Sequence, residues 1–101
     1  GQFQLDTIAR EAWIGGMPVV FPRRELMILE NLMRRLNQVV PLELLEEKLY
    51  GLEEVPTSNP IPVHIHQIRR KLKEHEAGVT IHTVRGLGYL LQEDRGHEDA
   101  L

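Results

Sequence analysis

An α+β fold, with short antiparallel strands ahead of three helices and a closing hairpin, follows from three features of this 101-residue sequence. Apolar residues recur at helical spacing in three successive stretches, Gly15-Gly16 interrupts a strand-like opening segment, and Arg85-Gly86 interrupts a strand-like closing one. A chain this long buries one modest core, so a single domain is expected over residues 1–92, followed by a disordered acidic tail over 93–101.

In "FQLDTIAREAWIGGMPVVF" Phe3 and Leu5 alternate with polar neighbours and Trp13-Ile14 forms a second apolar patch. Gly15-Gly16 is a hairpin turn signal, and Met17–Phe21 is expected as a third strand. Pro22 suits the first position of a helix, where its missing N–H has no partner to lose. Leu26, Leu29, Leu32, Met33 and Leu36 then paint one helical stripe, with Arg24, Glu25, Arg34 and Arg35 mostly off it, and Asn37 is the stop. Pro41 opens a second helix with the stripe Leu42, Leu45 and Leu49, ended by Gly51. The segment 51–60, "GLEEVPTSNP", reads as a loop. A third helix runs to about Lys73; Ile61, Ile65, Ile68 and Leu72 fall within a wedge of about 60° and form its core face. The opposite face carries Val63, His66, Gln67 and Arg70, with His64, Arg69, Lys71 and Lys73 on the flanks. "GVTIHTVRGLGYLL" closes the fold as a hairpin turning at Arg85-Gly86.

Composition bounds the function. With 42% hydrophobic and 27% charged residues the chain is of ordinary globular type, and the absence of cysteine excludes disulfides and thiolate metal sites, as suits a reducing cytoplasm. No apolar run approaches the roughly 20 residues that span a bilayer. The amino-terminal Gly without Met leads us to expect a larger protein before residue 1. The net charge of −3 is unevenly spread. Residues 59–89 hold five cations (Arg69, Arg70, Lys71, Lys73 and Arg85) against two acids (Glu74 and Glu76), whereas 41–58 hold one cation against five acids. Local sign governs contact with a polyanion, because potential decays over about 8–10 Å in physiological salt.

Three helices and a hairpin, preceded by strands, describe a winged helix. The third helix of a helix-turn-helix enters the major groove, where Gln pairs with adenine, Arg with guanine, and Val meets a thymine methyl. Arg69, Lys71 and Lys73, on the rim of the outward face, are placed for phosphates, which set affinity and register rather than sequence. Arg85 on a Gly-flanked tip suits a narrow minor groove of enhanced negative potential.

"SNPIPVHIHQIRRKL" followed by "IHTVRGLGYLL" closely resembles the OmpR/PhoB-type winged-helix effector domain of bacterial two-component response regulators, and "PVVFPRRELMILENLMRRLNQVVPLELLEEKLY" is similar to that family's first two helices. The resemblance covers roughly residues 3–92, and the paired motif V-H-I-x-x-I-R-x-K-L plus T-V-R-G-x-G-Y is highly specific. It implies an N-terminal antiparallel four-stranded sheet, three helices and a C-terminal β-hairpin wing. It also implies sequence-specific binding to double-stranded promoter DNA, monomeric alone and a head-to-tail dimer on direct repeats, under a receiver domain and sensor kinase. By position it assigns recognition-helix contacts to Asn59, Pro60, Val63, His64, Gln67 and Arg69, with Arg70 nearby, and wing contacts to Thr83, Arg85 and Tyr89. The 51–58 loop, with Gly51, Glu53, Glu54 and Thr57, matches the segment some members turn to RNA polymerase. Three positions depart from the family pattern. Pro62 replaces an acidic residue, and since a residue before proline avoids helical geometry, Ile61 becomes a candidate cap that delays the helix. Gln67 replaces a commonly basic residue, and Pro22 replaces a Thr whose side-chain cap is worth about 1 kcal/mol.

Other chemistries fit poorly. His64 and His66 in H-x-H point about 160° apart on a helix and cannot share an ion, so no metal is expected and no cofactor. Ser58 is the only serine, no carboxylate pair sits in an evident pocket, and an enzyme is not expected. The alternative of a different class is a winged helix that works as a protein-interaction module through its acidic 43–54 surface.

Overall fold

A computed structural model describes residues 3–51 and 60–94. Strands β1 (Phe3–Asp6), β2 (Glu11–Ile14) and β3 (Met17–Val19) form an antiparallel sheet in the order β1-β2-β3. The Asp6 carboxylate accepts the N–H groups of Ile8 and Ala9 at 3.0 and 2.9 Å, which bends the chain between β1 and β2. The register, Phe3 opposite Ile14 and Ala12 opposite Val19, gathers these four residues on the buried face. Among the described residues this sheet has the three strands legible in the pattern, one fewer than the family resemblance implies. β3 stops at Val19 rather than Phe21 because the chain must leave the sheet to start the first helix. Val20 turns outward and Phe21 turns into the core.

Helix α1 (Arg23–Arg34) begins after Pro22, which is its N-cap and not its first residue, with no side-chain cap bond; the Pro22 carbonyl accepts the Leu26 N–H at 2.9 Å. Its buried face is wider than the leucine stripe: Ile28 is fully buried, and Glu25 and Glu30 are buried too. The reason is that α1 is packed on several sides, by the next two helices and by the closing strand. Asn37 takes a left-handed conformation, φ 66°, and ends the helical path as expected.

One element escapes sequence reading. β4 (Val40–Pro41) is only two residues long, yet it pairs with the last strand of the chain. Pro41 is thus a strand residue and the N-cap of α2 (Leu42–Tyr50), which Gly51 terminates. Helix α3 (Pro60–Glu74) leads to the hairpin β5 (Val79–Val84) and β6 (Gly88–Glu93). The second sheet runs β4-β6-β5. Ile61 is not a late cap but lies inside α3 and is fully buried. Pro60 and Pro62 occupy the first turn, where the missing N–H groups had no helical partner to lose, and burying an isoleucine is worth about 1.5–3 kcal/mol, enough to outweigh the bias against helix before proline.

The core gathers Phe3, Ile14, Val19, Leu29, Val40, Leu45, Ile65, Ile81 and Leu91, at least one from each of these elements. Three helices, an N-terminal sheet and a hairpin backed by a short strand make a winged helix, with α3 packed by Ile61, Ile65, Ile68 and Leu72.

Candidate nucleic-acid interface

Because the four apolar residues of α3 lie on one face, the opposite face is delivered to solvent. Val63 is 56% exposed, an unusual fraction for a valine, beside exposed Pro62, His66, Arg70 and Lys73. Gln67 and His64 are half-buried, and the Nε2 of His64 is buried without a hydrogen-bond partner. Within α3 the single acid is Glu74, at its last position, so the face ahead of it is neutral or basic. Such a surface offers an apolar contact, amide and imidazole donors and acceptors, and a guanidinium: the groups that read base edges in a major groove.

The cationic triplet Arg69-Arg70-Lys71 is divided three ways. Arg69 turns toward the hairpin: its Nε donates to the Ile81 carbonyl at 2.9 Å and its Nη2 to the Thr83 hydroxyl at 2.8 Å. Lys71 turns the other way. Its Nζ donates to the Val20 carbonyl at 2.7 Å, lies 3.9 Å from the buried Glu25 carboxylate, and stands 5.0 Å from the Phe21 ring centroid. Arg70, between them, is exposed and has no such bond among the described residues. Successive residues on a helix are about 100° apart, so a run of three cations is necessarily spread over more than half the circumference.

At the hairpin tip, Leu87 donates its N–H to the Val84 carbonyl at 3.0 Å and its carbonyl accepts the Leu42 N–H at 3.0 Å, fastening the turn to the start of α2. Gly86 has φ 75°, which allows so tight a turn. Arg85 projects from this tip, exposed, next to Leu87, 59% exposed. Thr83 is exposed but engaged by Arg69. Tyr89 is buried, opposite Thr83 on one side and Val40 on the other, and is a core residue.

The structure therefore brings Val63, His66, Gln67, Arg70 and Lys73 onto one helix face, with Arg85 on the adjoining hairpin. It sets Arg69, Lys71 and Tyr89 into internal contacts. Pro60 begins α3, and Gly51 ends α2 exposed. Asn59, Glu53, Glu54 and Thr57 lie outside the described residues. Among the described residues no group of three or more metal-ligating side chains converges, and no helix is long and apolar enough to cross a membrane. Sequence reading missed the internal roles of Arg69 and Lys71; their signal was their place beside the apolar wedge on the helical wheel.

With this geometry in view, comparison with known proteins is direct. Residues 16–91 match the family described as transcriptional regulatory protein, C terminal. The chain belongs to that family, in its OmpR/PhoB form. This effector domain is 43% identical over 93 residues to the transcriptional regulatory protein QseB of Escherichia coli O157:H7, covering 92% of the chain and 41% of that relative. The domain thus spans about two fifths of the length of such a relative. Its fold is similar to the DNA-binding domain of CpxR from E. coli, with TM-score 0.79 at 30% identity, covering 91% of each chain. It is also similar to the Klebsiella pneumoniae RstA DNA-binding domain in complex with the RstA box, with TM-score 0.76 at 26% identity, covering 91% of this chain and 92% of that one.

Proposed function

We propose that this effector domain binds double-stranded promoter DNA in a sequence-specific manner, with α3 in the major groove and the hairpin tip in the neighbouring minor groove. The observation that carries the reading is the exposed α3 face of Val63, His66, Gln67 and Arg70 with Arg85 on the adjoining tip. The RstA domain, similar in fold over nearly its whole length, is seen in complex with its DNA box, which supports the same use here. Val63, His66 and Gln67 meet base edges; Arg70 and Lys73 meet phosphate; Arg85 enters the minor groove. In the full-length protein a receiver domain, phosphorylated by a sensor kinase in the cytoplasm, promotes dimerisation on direct repeats, so that two weak half-site affinities combine through effective concentration.

A second surface supports contact with protein. On α2, Glu43 and Glu47 are exposed one turn apart, and this acidic pair suits RNA polymerase or another basic partner.

Selection of this chain against a randomised duplex library at low salt tests the main reading. Enrichment of a short motif, repeated at about one helical turn, is the expected result. Retention without enrichment would reduce the function to phosphate binding. No retention even at low salt would leave the protein-contacting surface as the working one.

A further inference from the structure

The outward face of α3 changes character along its length. Ile61 is turned into the core, fully buried, but the two residues after it, Pro62 and Val63, are exposed, Val63 at 56%. Neither side chain can donate or accept a hydrogen bond, and the first turn carries no acid. One turn later the same face becomes polar. His66 follows Pro62 at four residues, and Gln67 and Arg70 follow Val63 at four and seven, so each apolar residue leads a polar column on its own side of the helix. The Pro62 column lies toward the hairpin, because Arg69, seven residues on from Pro62, reaches the Ile81 carbonyl and the Thr83 hydroxyl of β5. The leading end of α3 is thus an apolar pair on a firmly packed base, since Ile61 and Ile65 beneath it are 0% and 1% exposed.

We propose that Pro62 is a specificity-determining residue: together with Val63 it forms an apolar reader at the leading end of α3 that selects thymines at two adjacent base pairs by their 5-methyl groups. The proposal rests on the DNA-binding reading above, in which Val63 already meets base edges, and adds Pro62 and a defined base step. In a docked helix-turn-helix the N-terminal residues of the recognition helix are the ones that reach base edges. In the major groove the thymine methyl is the apolar feature among donors and acceptors, so an apolar pair has one partner to choose. Set against cytosine, the same pair would desolvate the N4 amino group without offering it an acceptor. Consecutive Cα atoms are about 3.8 Å apart and successive bases about 3.4 Å apart along a strand, which suits neighbouring residues to neighbouring base pairs. The proline ring also has no rotamer freedom to lose on burial.

Uracil in place of thymine isolates the methyl group, because it keeps the base pair and the O4 acceptor and lacks the methyl alone. The probe is the duplex enriched from the randomised library, with deoxyuridine replacing thymidine at one position at a time. Replacement at either of two adjacent base pairs is expected to weaken wild-type binding by about fourfold, the worth of one buried methyl. The slope of log affinity against log salt should stay parallel, since no phosphate contact is lost. In Pro62→Ala one of the two positions is expected to lose most of its uracil effect, and in Val63→Ala the other. Alanine is a good helix former, and a variant that only weakened the fold would lose thymine and uracil duplexes alike, so the ratio between the two duplexes reads the contact. A uracil effect at no position, or one that Pro62→Ala leaves intact, would overturn the proposal while sequence-specific DNA binding stands. Should the library show no enrichment or no retention, the sequence-specific reading itself fails, and the methyl reader with it.

Discussion

Gln67 is half-buried at the edge of the exposed α3 face, and on the proposed DNA-binding reading its uncharged amide would read bases rather than neutralise phosphate. An amide that pairs bidentately with adenine contributes about 1–3 kcal/mol of discrimination. Gln67→Ala is therefore expected to broaden the selected motif at one position while leaving the salt slope within error of wild type; competition between duplexes that differ at that base pair measures it. A different residue governs behaviour in base. Burial raises the Tyr50 phenol above its usual 10.0, more than the Arg24 guanidinium, 5.1 Å from the ring, lowers it, and Glu46 raises it further. Because the folded state holds this proton more tightly, the contribution to stability is complete below about pH 10 and is lost as pH rises through the raised value. Denaturant midpoints should fall across that window in wild type and fall less in Tyr50→Phe.

At the scale of elements, the smallest strand carries a disproportionate share of the geometry. β4 joins the link between α1 and α2 to the hairpin, and it can do so only because position 88 lacks a side chain. A Cβ on Gly88 would collide with the Val40 carbonyl oxygen and come within 2.9 Å of the Pro41 Cα. Both obstacles are backbone, which cannot swing aside. Gly88→Ala is expected to cost about 1–3 kcal/mol and to loosen the hairpin, read as a lower Tm together with faster amide exchange in β6. The hairpin tip is a separate matter, since Arg85 is exposed and lies in the turn, outside the paired positions. Arg85→Ala should leave the unfolding free energy within about 0.5 kcal/mol of wild type and weaken DNA binding, with a flatter preference for A·T-rich flanks. Unchanged affinity in that variant would remove the hairpin tip from the interface.

For the whole molecule, one core serves both stability and function, because the face that buries α3 also determines which face is left out. Ile65 is 1% exposed at the centre of that packing, and Ile65→Ala is expected to cost about 2–5 kcal/mol, read by chemical denaturation, with DNA affinity falling in step with the folded fraction. The charge distribution is likewise a property of the whole. A chain of net −3 exposes Arg70 and Lys73 on α3 and Arg85 at the hairpin tip, with Glu43 and Glu47 on α2, so on the proposed reading a duplex would meet local positive charge at short range despite the acidic total.

Periodicity by itself determined the three helices and their order, since Leu, Ile and Met at three- and four-residue spacing have one way to be buried together. It determined the outward residues Val63, His66 and Arg70 as well, because a helix that buries Ile61, Ile65, Ile68 and Leu72 has one opposite face. Gly15-Gly16 and Arg85-Gly86 marked the turns through backbone geometry that side chains rarely adopt. Tertiary structure alone decided the rest. β4 has too few residues to leave a pattern and exists only through its partner β6. Ile28, Glu25 and Glu30 were buried by neighbours that a helical wheel does not contain. The helical start at Pro60 was decided by the burial of Ile61, against the local bias. Arg69 and Lys71 look alike in sequence, as two cations on the flanks of one helix. What separates them from Arg70 is that a carbonyl of β5 and a carbonyl of the β3–α1 junction come within hydrogen-bonding reach, and residues 12 and 51 positions away along the chain are brought there only by folding.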